Sequence, residues 1–462
     1  MDNDEFRSYI PGIWSGDGLD DLYNVGGTGA ANTLQVGLLN YLAAGQTSSA
    51  QFSCSATLDG SPYTLQGLVV ADAEHSLASE YIQARASASG AGVGWRIIDR
   101  YKSPAACATN GTVTMTGSTQ LRLNGSLTCP SGPMAVAFLQ NATTADMVLQ
   151  GGGRSAMALG VMVFTSDLSD APLSYGQAQH LPNFTFSGGT PPPNATTNYG
   201  TMALATLAQP VIRLGASVDI ENGSLASPTA NGDDTNGTDD EDAFTAIPNI
   251  ALRPNVTYTL SVPCLGTGAV VRGFIDFNRD AVFDTANERS AAATCNGTTA
   301  ALSWTMPALA QLNPGPSFAR FRIVSAANAA FIDLPASSAP DGEVEDYPVT
   351  LTAVPLTLRK QWTGAVVNDD ATITASRAST VIDTLVSDAG AVGELDTDAT
   401  PVNLFGGETI TLAEVLPNTN AGLYNSALTC TGTSDTNPSD GLTVGATDTA
   451  IVCTYTNVSS PS

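Results

Sequence analysis

The stretch that decides the fold reads DFNRDAVFD at residues 276–284, and Glu288 lies just beyond it. Oxygen-bearing side chains recur at positions one, three, five and nine of this stretch. In calcium-binding loops, alternate residues turn oxygen ligands onto one hard cation. The spacing therefore predicts a Ca²⁺ site in a loop between two strands, and a solvated acidic turn is the alternative. The predicted ligands are Asp276, Asn278, Asp280, Val282, Asp284 and Glu288.

Two further acidic clusters flank this stretch. The first contributes Asp219, Glu221, Asp233, Asp234, Asp239, Asp240, Glu241 and Asp242. The second contributes Asp341, Glu343, Glu345 and Asp346. Because crowded carboxylates repel one another unless a cation lies between them, we predict that both clusters also contribute metal ligands. A disordered acidic linker is the alternative for residues 233–242, and a solvated turn is the alternative for residues 341–346.

Length and composition predict an all-β protein of several domains. A chain of 462 residues exceeds what one hydrophobic core usually supports, so we expect three domains. Charged residues make up only 13% of the chain, which leaves Thr, Ser, Asn and Gly to form the polar surface. These residues favour strands and turns over helices. We predict three consecutive β-sandwich-like domains in an elongated arrangement, at residues 1–168, 169–352 and 353–462.

Local patterns support this prediction and add detail to it. Short apolar runs alternate with turn signals from about residue 51 to residue 163, as expected of a sandwich or barrel. Residues 78–87 are predicted to form one short helix. Residues 165–200 are predicted to be loop-like, because Pro172 and Pro191–Pro193 interrupt regular strand pairing.

The net charge of −26 limits the classes of partner. It argues against nucleic acid, whose phosphates require Lys and Arg, and against an anionic membrane surface. We recognise no apolar run long enough to span a membrane, no signal peptide and no lipidation motif. We therefore interpret the chain as a mature piece or fragment of a secreted protein.

Cysteine spacing predicts disulfide bonds rather than a zinc site. The seven cysteines are Cys54, Cys107, Cys129, Cys264, Cys295, Cys430 and Cys453. They include no CxxC motif, and the two histidines are far apart in sequence, so a zinc site is not favoured. Local spacing predicts the pairs Cys264–Cys295 and Cys430–Cys453. Cys107–Cys129 is the easiest further pair and would leave Cys54 free, and the other pairings of these three cysteines stay open. Such pairs indicate an oxidising, extracellular compartment, and seven buried thiols are the alternative.

The middle of the chain resembles the GEVED domains of bacterial surface proteins. The resemblance rests on the segment LSYGQAQH at 173–180, the acidic run at 214–242, the loop at 274–284 and the motif DGEVEDY at 341–347. It implies a calcium-binding β domain in which the loop is flanked by aromatic residues. Two positions depart from the family pattern, since Ala281 replaces a usual Gly and Asn222 replaces a common Asp.

The two ends of the chain carry further resemblances. Residues 67–74, 94–95 and 151–160 resemble the CshA-type domain of fibrillar adhesins, which precedes GEVED-like modules in that family. Residues 356–362, 412–417 and 451–457 resemble a prealbumin-like repeat of the collagen-adhesin B type. That resemblance implies an isopeptide bond between Lys360 and Asn457, assisted by Glu414. The alternative is a lysine that reaches solvent at a strand edge and an asparagine in a terminal turn.

Taken together, these features predict a binding and structural protein rather than an enzyme. We expect a calcium-stabilised, extracellular segment of a bacterial surface adhesin or filament. Its expected partners are a host or surface ligand, or neighbouring copies of the chain.

Two other functions remain as alternatives. A secreted polysaccharide-binding or polysaccharide-degrading protein would use Asp72 and Glu74 as paired carboxylates, or stack sugars on Trp14, Trp95 and Trp304. A self-assembling fibre would use an extended N-terminal segment to complete a neighbour's sheet.

Overall fold

A computed structural model describes residues 6–15, 17–58, 61–63, 65–86, 94–101, 111–126, 134–221, 223–232 and 242–460. It confirms the all-β fold, with short strands throughout and one five-residue α-helix, α1 (Gly18–Leu22). Short 3₁₀ helices occupy Leu173–Tyr175, Leu309–Gln311, Ala326–Ile332 and Pro438–Asp440. The predicted helix at residues 78–87 is wrong, because Tyr81–Ala86 forms a strand. Its alternate residues Ile82 and Ala84 face the core, which is the two-residue period of a strand.

The N-terminal part is a sandwich of two six-stranded sheets. Its strands are β1 (Arg7–Tyr9), β2 (Gly37–Leu42), β3 (Thr47–Ser53), β4 (Ala56–Leu58), β5 (Ser61–Tyr63), β6 (Gly67–Asp72), β7 (Tyr81–Ala86), β8 (Trp95–Tyr101), β9 (Thr112–Thr116), β10 (Gln120–Asn124), β11 (Met134–Gln140), β12 (Thr144–Gln150) and β13 (Gly153–Met162). One sheet has the order β1-β2-β13-β6-β11-β8. The other runs β17-β9-β10-β7-β12-β3, where β17 is Thr196–Asn198. Apolar side chains from both sheets share one core, among them Val70, Ile82, Trp95 and Met147.

Residues 165–200 are more regular than the sequence predicted. Four short strands lie there, β14 (Asp167–Leu168), β15 (Gln179–His180), β16 (Thr185–Ser187) and β17. The prolines lie outside these strands, so they interrupt the pairing without abolishing it. Strand β17 extends the second N-terminal sheet by pairing with β9. Residues 196–198 therefore belong to the N-terminal sandwich, whereas β14 and β15 pair with each other in a separate small sheet.

The middle part is built around a five-stranded sheet of order β19-β26-β24-β21-β22. Its strands are β18 (Thr206–Ala208), β19 (Ile250–Ala251), β20 (Thr257–Pro263), β21 (Val270–Ile275), β22 (Ala293–Thr294), β23 (Thr299–Thr305), β24 (Gly315–Val324), β25 (Ser338–Ala339) and β26 (Glu343–Thr352). A two-stranded antiparallel sheet, β20–β23, covers one face of this sheet and buries Leu302 and Trp304 against Val271 and Phe321. A small sheet of order β14-β15-β25 joins residues 167–180 to this part. The predicted Cys264–Cys295 disulfide is confirmed within the core.

The C-terminal part is a second sandwich. Its strands are β27 (Val354–Thr363), β28 (Asp370–Arg377), β29 (Thr380–Asp388), β30 (Gly393–Thr397), β31 (Val402–Leu404), β32 (Thr409–Val415), β33 (Tyr424–Thr431), β34 (Leu442–Thr443) and β35 (Ile451–Ser459). One sheet has the order β30-β27-β35-β33, with β31 also paired to β27, and the other has the order β29-β28-β32-β34. The first and last strands, β27 and β35, are parallel neighbours. The predicted Cys430–Cys453 disulfide is confirmed between β33 and β35.

Of the remaining cysteine predictions, one is confirmed and one concerns residues that the structure does not describe. Cys54 is a free thiol, as predicted. The predicted Cys107–Cys129 pair lies outside the described residues.

Two buried arginines hold the 167–180 segment against the middle sheet. Arg320 forms a bidentate ion pair with Asp346, from Nε to Oδ1 at 2.7 Å and from Nη2 to Oδ2 at 2.8 Å. Arg322 Nε donates to His180 Nε2 at 2.9 Å, and His180 Nδ1 donates to the Asp341 carbonyl at 2.8 Å. Burial, followed by the charge of Arg322, lowers the pKa of His180 well below its usual value. The imidazole therefore acts as a neutral acceptor for an arginine.

This arrangement predicts acid sensitivity. Folded His180 stays neutral while the unfolded chain protonates below about pH 6.5, so each lower pH unit costs up to about 1.4 kcal/mol of unfolding free energy. Melting temperatures measured between about pH 7 and about pH 5 should fall more steeply for the natural protein than for His180→Gln. His75→Gln, at a half-exposed histidine, is the control and should keep the natural slope. Equal slopes for His180→Gln and the natural protein would contradict this assignment.

Candidate functional site

The predicted calcium loop follows strand β21 and begins at a fully buried carboxylate. Asp276 Oδ2 accepts hydrogen bonds from the Tyr175 hydroxyl at 2.7 Å and from the Ala281 amide at 3.1 Å. Asp276 Oδ1 accepts one from the Arg279 amide at 2.5 Å. Both oxygens of Asp276 thus point into the loop, where they organise its backbone.

The next oxygen-bearing side chains form a series of turns. Asn278 Oδ1 accepts from the amide of Asp280 at 2.8 Å, and Asp280 Oδ1 accepts from the amide of Val282 at 3.0 Å. Asp284 Oδ1 repeats the pattern with the amide of Ala286 at 2.8 Å. Each is the local side-chain-to-backbone turn that Asn and Asp commonly form. The alternating spacing seen in the sequence therefore produces a regular succession of turns.

Glu288 closes the loop from its far end. The side chain is buried, and Oε1 accepts from the Phe277 amide at 3.0 Å while Oε2 accepts from the Asp284 amide at 2.7 Å. Burial, together with the negative charges of Asp276 and Asp280, raises its pKa to about 7. Asp276 and Asp280 therefore lie close enough to Glu288 for their charges to disfavour its ionised form.

The backbone of the loop is strained at two residues. Arg279 has φ 60° and Ala281 has φ 67°, both in the left-handed region. Position 281 is the one where the sequence departs from the usual Gly of the family. The sharp turn is therefore present and is formed by a residue that disfavours it. The aromatic rings of Tyr175 and Phe283 pack together beneath the loop, with centroids 4.6 Å apart.

A second group of buried carboxylates lies at the start of strand β26. Glu343 and Glu345 are 1% and 6% exposed, and Glu343 Oε1 has no hydrogen-bond partner. Burial raises the pKa of Glu343 to about 8. Burial and the charge of Glu343, then those of Asp167 and Asp242, raise the pKa of Glu345 well above its usual value. These four carboxyl groups form a negative cluster separate from the 276–288 loop.

The other predicted ligands take different positions. Asp346 forms the ion pair with Arg320, and Asp341 accepts from the Ser325 amide at 3.2 Å. Glu221 accepts from the Leu168 amide at 2.7 Å, whereas Asp219 is exposed. Asp233, Asp234, Asp239, Asp240 and Glu241 lie outside the described residues. The residues of the loop and of its two flanking acidic clusters thus have different roles. Some form the 276–288 loop, some form the buried cluster, and others make structural contacts.

Two functional positions were missed by sequence reasoning. Asp167 accepts from the Val344 amide at 2.7 Å and so joins the Glu343–Glu345 cluster. Tyr175 binds Asp276, as described above. Both lie in a segment interpreted as a loop, and the acidic run DLSDAP at residues 167–172 is the signal that could have identified the first.

The fit to a cation is chemical rather than geometric. In the part of the chain that the structure describes, no group of three or more His, Cys, Asp or Glu side chains is arranged to hold a metal ion. The donor set nevertheless consists of the hard oxygens that Ca²⁺ prefers. A cation would satisfy the buried Glu343 Oε1, which has no hydrogen-bond partner within the described part of the chain.

The predicted crosslink residues meet in the C-terminal sandwich. Lys360 is fully buried, and its Nζ donates to Glu414 Oε1 at 2.6 Å. Asn457 is also fully buried, and neither its Nδ2 nor its Oδ1 has a hydrogen-bond partner. Asn457 lies opposite Trp362 in the parallel β27–β35 ladder, two residues along β27 from Lys360. Because residues two apart share a face, Lys360 and Asn457 lie on one face of neighbouring strands.

This geometry contradicts the alternative for these residues. Lys360 lies on an interior strand rather than at a sheet edge, and Asn457 lies in a strand rather than in a terminal turn. Burial lowers the pKa of Lys360, in spite of the opposing effect of Glu414.

Several residues on which the polysaccharide-binding or polysaccharide-degrading alternative depends are buried. Trp95 and Trp304 are buried at 0% and 2% exposure, so neither can stack on a sugar. Glu74 is buried as well. The fibre alternative required an N-terminus without partners in its own chain, but β1 pairs with β2.

Comparisons with known proteins agree with the predicted order, in which a CshA-type domain precedes a GEVED domain. Residues 1–163 match the family profile of the surface adhesin CshA non-repetitive domain 2, and residues 270–350 match the GEVED domain. The chain thus carries a CshA-type adhesin domain followed by a GEVED domain. These two matches indicate a bacterial surface adhesin.

Solved structures give weaker likenesses. An adhesin from Mobiluncus mulieris with intramolecular disulfide, isopeptide and ester crosslinks is 12% identical with a TM-score of 0.24, covering 44% of this chain and 91% of the other. The major pilin T-13 of Streptococcus pyogenes is 11% identical with a TM-score of 0.15, and the match covers 46% of this chain and 100% of the pilin. The pilus adhesin SpaC of Lactobacillus rhamnosus GG is 10% identical with a TM-score of 0.18, and the match covers 86% of this chain and 57% of SpaC. Since these scores are low, the classification depends on the two domain matches.

Two other kinds of evidence are negative. No curated protein matches the chain significantly. Among the described residues, no helix has the length and apolar character needed to cross a membrane.

The strain at Ala281 predicts a stabilising substitution. Ala281→Gly removes the left-handed strain but increases the entropy of the unfolded chain, for an expected net gain of up to about 1 kcal/mol in unfolding free energy. Urea denaturation measures the gain. Ala286→Gly, in the same loop but without a positive φ, is the control and should be destabilising. A loss of stability in Ala281→Gly would show that residue 281 does not adopt the left-handed turn.

Proposed function

We propose that this chain is an extracellular attachment segment of a bacterial surface adhesin or filament, stiffened by calcium and by a covalent crosslink. The observation that carries the proposal is the CshA-type domain at residues 1–163 with the GEVED domain further along the chain at residues 270–350. The N-terminal sandwich presents a contact surface to a host or surface ligand, or to a neighbouring copy of the chain. The remaining domains resist extension and unfolding, and no catalytic step is involved.

The mechanical role is supported by the arrangement of β27 and β35. These strands are parallel neighbours over eight residue pairs, from Leu356–Ile451 to Thr363–Val458. Tension applied to the start of β27 and the end of β35 would load their whole ladder in shear. A bond between the two strands would carry that tension covalently.

The chemistry of this bond follows from burial. A lysine that loses its proton in an apolar core becomes a nucleophile, and Lys360 has the burial and lowered pKa that this requires. Its Nζ would attack Cγ of Asn457, forming a new C–N bond as the Asn457 amide leaves as ammonia. Glu414, hydrogen-bonded to Nζ, would accept a proton from the amine and deliver one to the departing nitrogen.

Mass spectrometry of the intact, reduced protein tests the crosslink. We expect the measured mass to fall short of the sequence mass by one ammonia. Lys360→Met and Glu414→Gln should each restore the full mass. Lys102→Met, at the only other lysine of the chain, should keep the deficit. A full mass for the natural protein would exclude the bond.

Calcium binding is supported by the chemistry of the 276–288 loop and the Glu343–Glu345 cluster. In the loop, Asp276 and Glu288 are buried carboxylates surrounded by further oxygen donors. A bound Ca²⁺ would offset the negative charges of these carboxylates. Asp276, Asn278, Asp280, Asp284 and Glu288 would hold it in the loop, while Glu343, Glu345, Asp167 and Asp242 form the second candidate set. The ion would hold the middle domain together and take no part in a reaction.

Chelation tests the calcium proposal. Removing calcium with EDTA should lower the melting temperature and accelerate proteolysis within residues 219–347. Calcium at about a hundred times its dissociation constant stabilises a folded protein by about 2.7 kcal/mol. Glu288→Gln should lose much of this response, whereas Asp333→Asn, at a carboxylate paired with Arg272, should retain it. An unchanged melt and an unchanged cleavage pattern would refute the proposal.

A further inference from the structure

The N-terminal sandwich contains a buried polar cluster that neither its fold nor the proposed function explains. The cluster consists of Asn40, Glu74, Glu80 and Ser155. Asn40 on β2 and Ser155 on β13 are opposite each other in an antiparallel pair. Opposite residues of such a pair project from the same face of the sheet. The Ser155 hydroxyl donates to Glu80 Oε1 at 3.3 Å, so the face that carries Asn40 also meets Glu80.

Glu74 reaches the cluster from the connection between β6 and β7. Its carboxyl group interacts with the Ser155 hydroxyl. Glu80, at the end of the same connection, also accepts a hydrogen bond from the Gly152 amide at 2.8 Å. The cluster therefore joins three separate parts of the N-terminal sandwich at one point.

Polar atoms of the cluster are left without partners. Asn40 is completely buried, and neither its Oδ1 nor its Nδ2 forms a hydrogen bond within the described part of the chain. Glu74 is 7% exposed, and its Oε1 has no partner either. Each unsatisfied buried polar group costs about 1–3 kcal/mol. Three such atoms lie around one serine, and a bound ligand would satisfy them.

The charge of the cluster indicates the sign of that ligand. The charged groups that act on Glu74 are Asp72, Glu80 and Asp17, and all of them are acidic. The nearest histidine, His75, pairs with Asp17 instead. A cation is the ligand that would satisfy both the negative charge and the unpartnered oxygens.

We propose that Asn40, Glu74, Glu80 and Ser155 bind a divalent cation of the size of Ca²⁺ inside the N-terminal sandwich. Ca²⁺ accepts a flexible shell of carboxylate, amide and hydroxyl oxygens, whereas Mg²⁺ demands near-octahedral geometry and retains water. Two carboxylates, Glu74 and Glu80, match its charge. The ion would fasten the β6–β7 connection to strands β2 and β13, and so fix one end of the CshA-type domain.

Calcium binding by the full chain tests this site. The protein is stripped with a chelator and dialysed against CaCl₂, and calcium per chain is then measured for the natural protein and four variants. Asn40→Leu and Glu74→Gln should each bind one calcium ion fewer than the natural protein. Asn124→Leu, at an asparagine of β10 whose amide is already hydrogen-bonded, should bind the natural amount. Glu288→Gln affects only the middle domain, so its result separates the two calcium proposals.

Hydrogen exchange of the same full-length protein gives a local measurement that needs no variant. Calcium at about a hundred times its dissociation constant should make opening of β2 and β13 about a hundredfold rarer. Peptides covering residues 37–42 and 153–158 should therefore exchange more slowly with calcium than without it. Unchanged exchange in these peptides, or natural calcium content in both Asn40→Leu and Glu74→Gln, would overturn the proposal.

Discussion

A carboxylate removed from water requires hydrogen-bond donors, a counter-charge or a proton, and the middle domain is organised around this requirement. Asp276 and Glu288 are supplied with backbone amides, and in doing so they define the course of their loop. Asp346 is supplied with a guanidinium, and the resulting ion pair anchors the 170–176 segment through the Ala171 amide and the Gly176 carbonyl. Glu343 and Glu345 have fewer hydrogen-bond donors and counter-charges than Asp346. The stability of the domain therefore depends on how each buried acid is neutralised.

Much of the architecture follows from local sequence. Low charge, abundant Thr and Gly, and regular turn signals predict the all-β fold, and short cysteine spacings predict both disulfides seen in the structure. The need for a left-handed residue at 281 also follows from the motif, and Ala281 adopts that conformation. These features depend on neighbours in sequence, so a single sequence is enough to predict them.

Other features depend on partners that are distant in sequence. Asp346 belongs to the same motif as Glu343 and Glu345, yet it pairs with Arg320 while the two glutamates lie in an acidic cluster. Nothing in the spacing of DGEVEDY distinguishes these roles. The sequence alone allows Trp95 and Trp304 to be exposed rings that stack on sugars, because aromatic residues occur both on surfaces and in cores. Only the packing shows that both side chains are buried. The crosslink prediction now has defined strand positions for Lys360 and Asn457, whereas the calcium prediction rests on the chemistry of the oxygen donors.

The parallel pairing of β27 and β35 has a consequence for how the C-terminal sandwich would share a load. If Lys360 and Asn457 are joined, force entering at β27 leaves at β35 through their side chains. Residues 361–456 then form a slack loop, which contains the Cys430–Cys453 disulfide. That disulfide would bear no tension however hard the chain is pulled. Its reduction would change the resistance of the sandwich to heat while leaving its length under force the same.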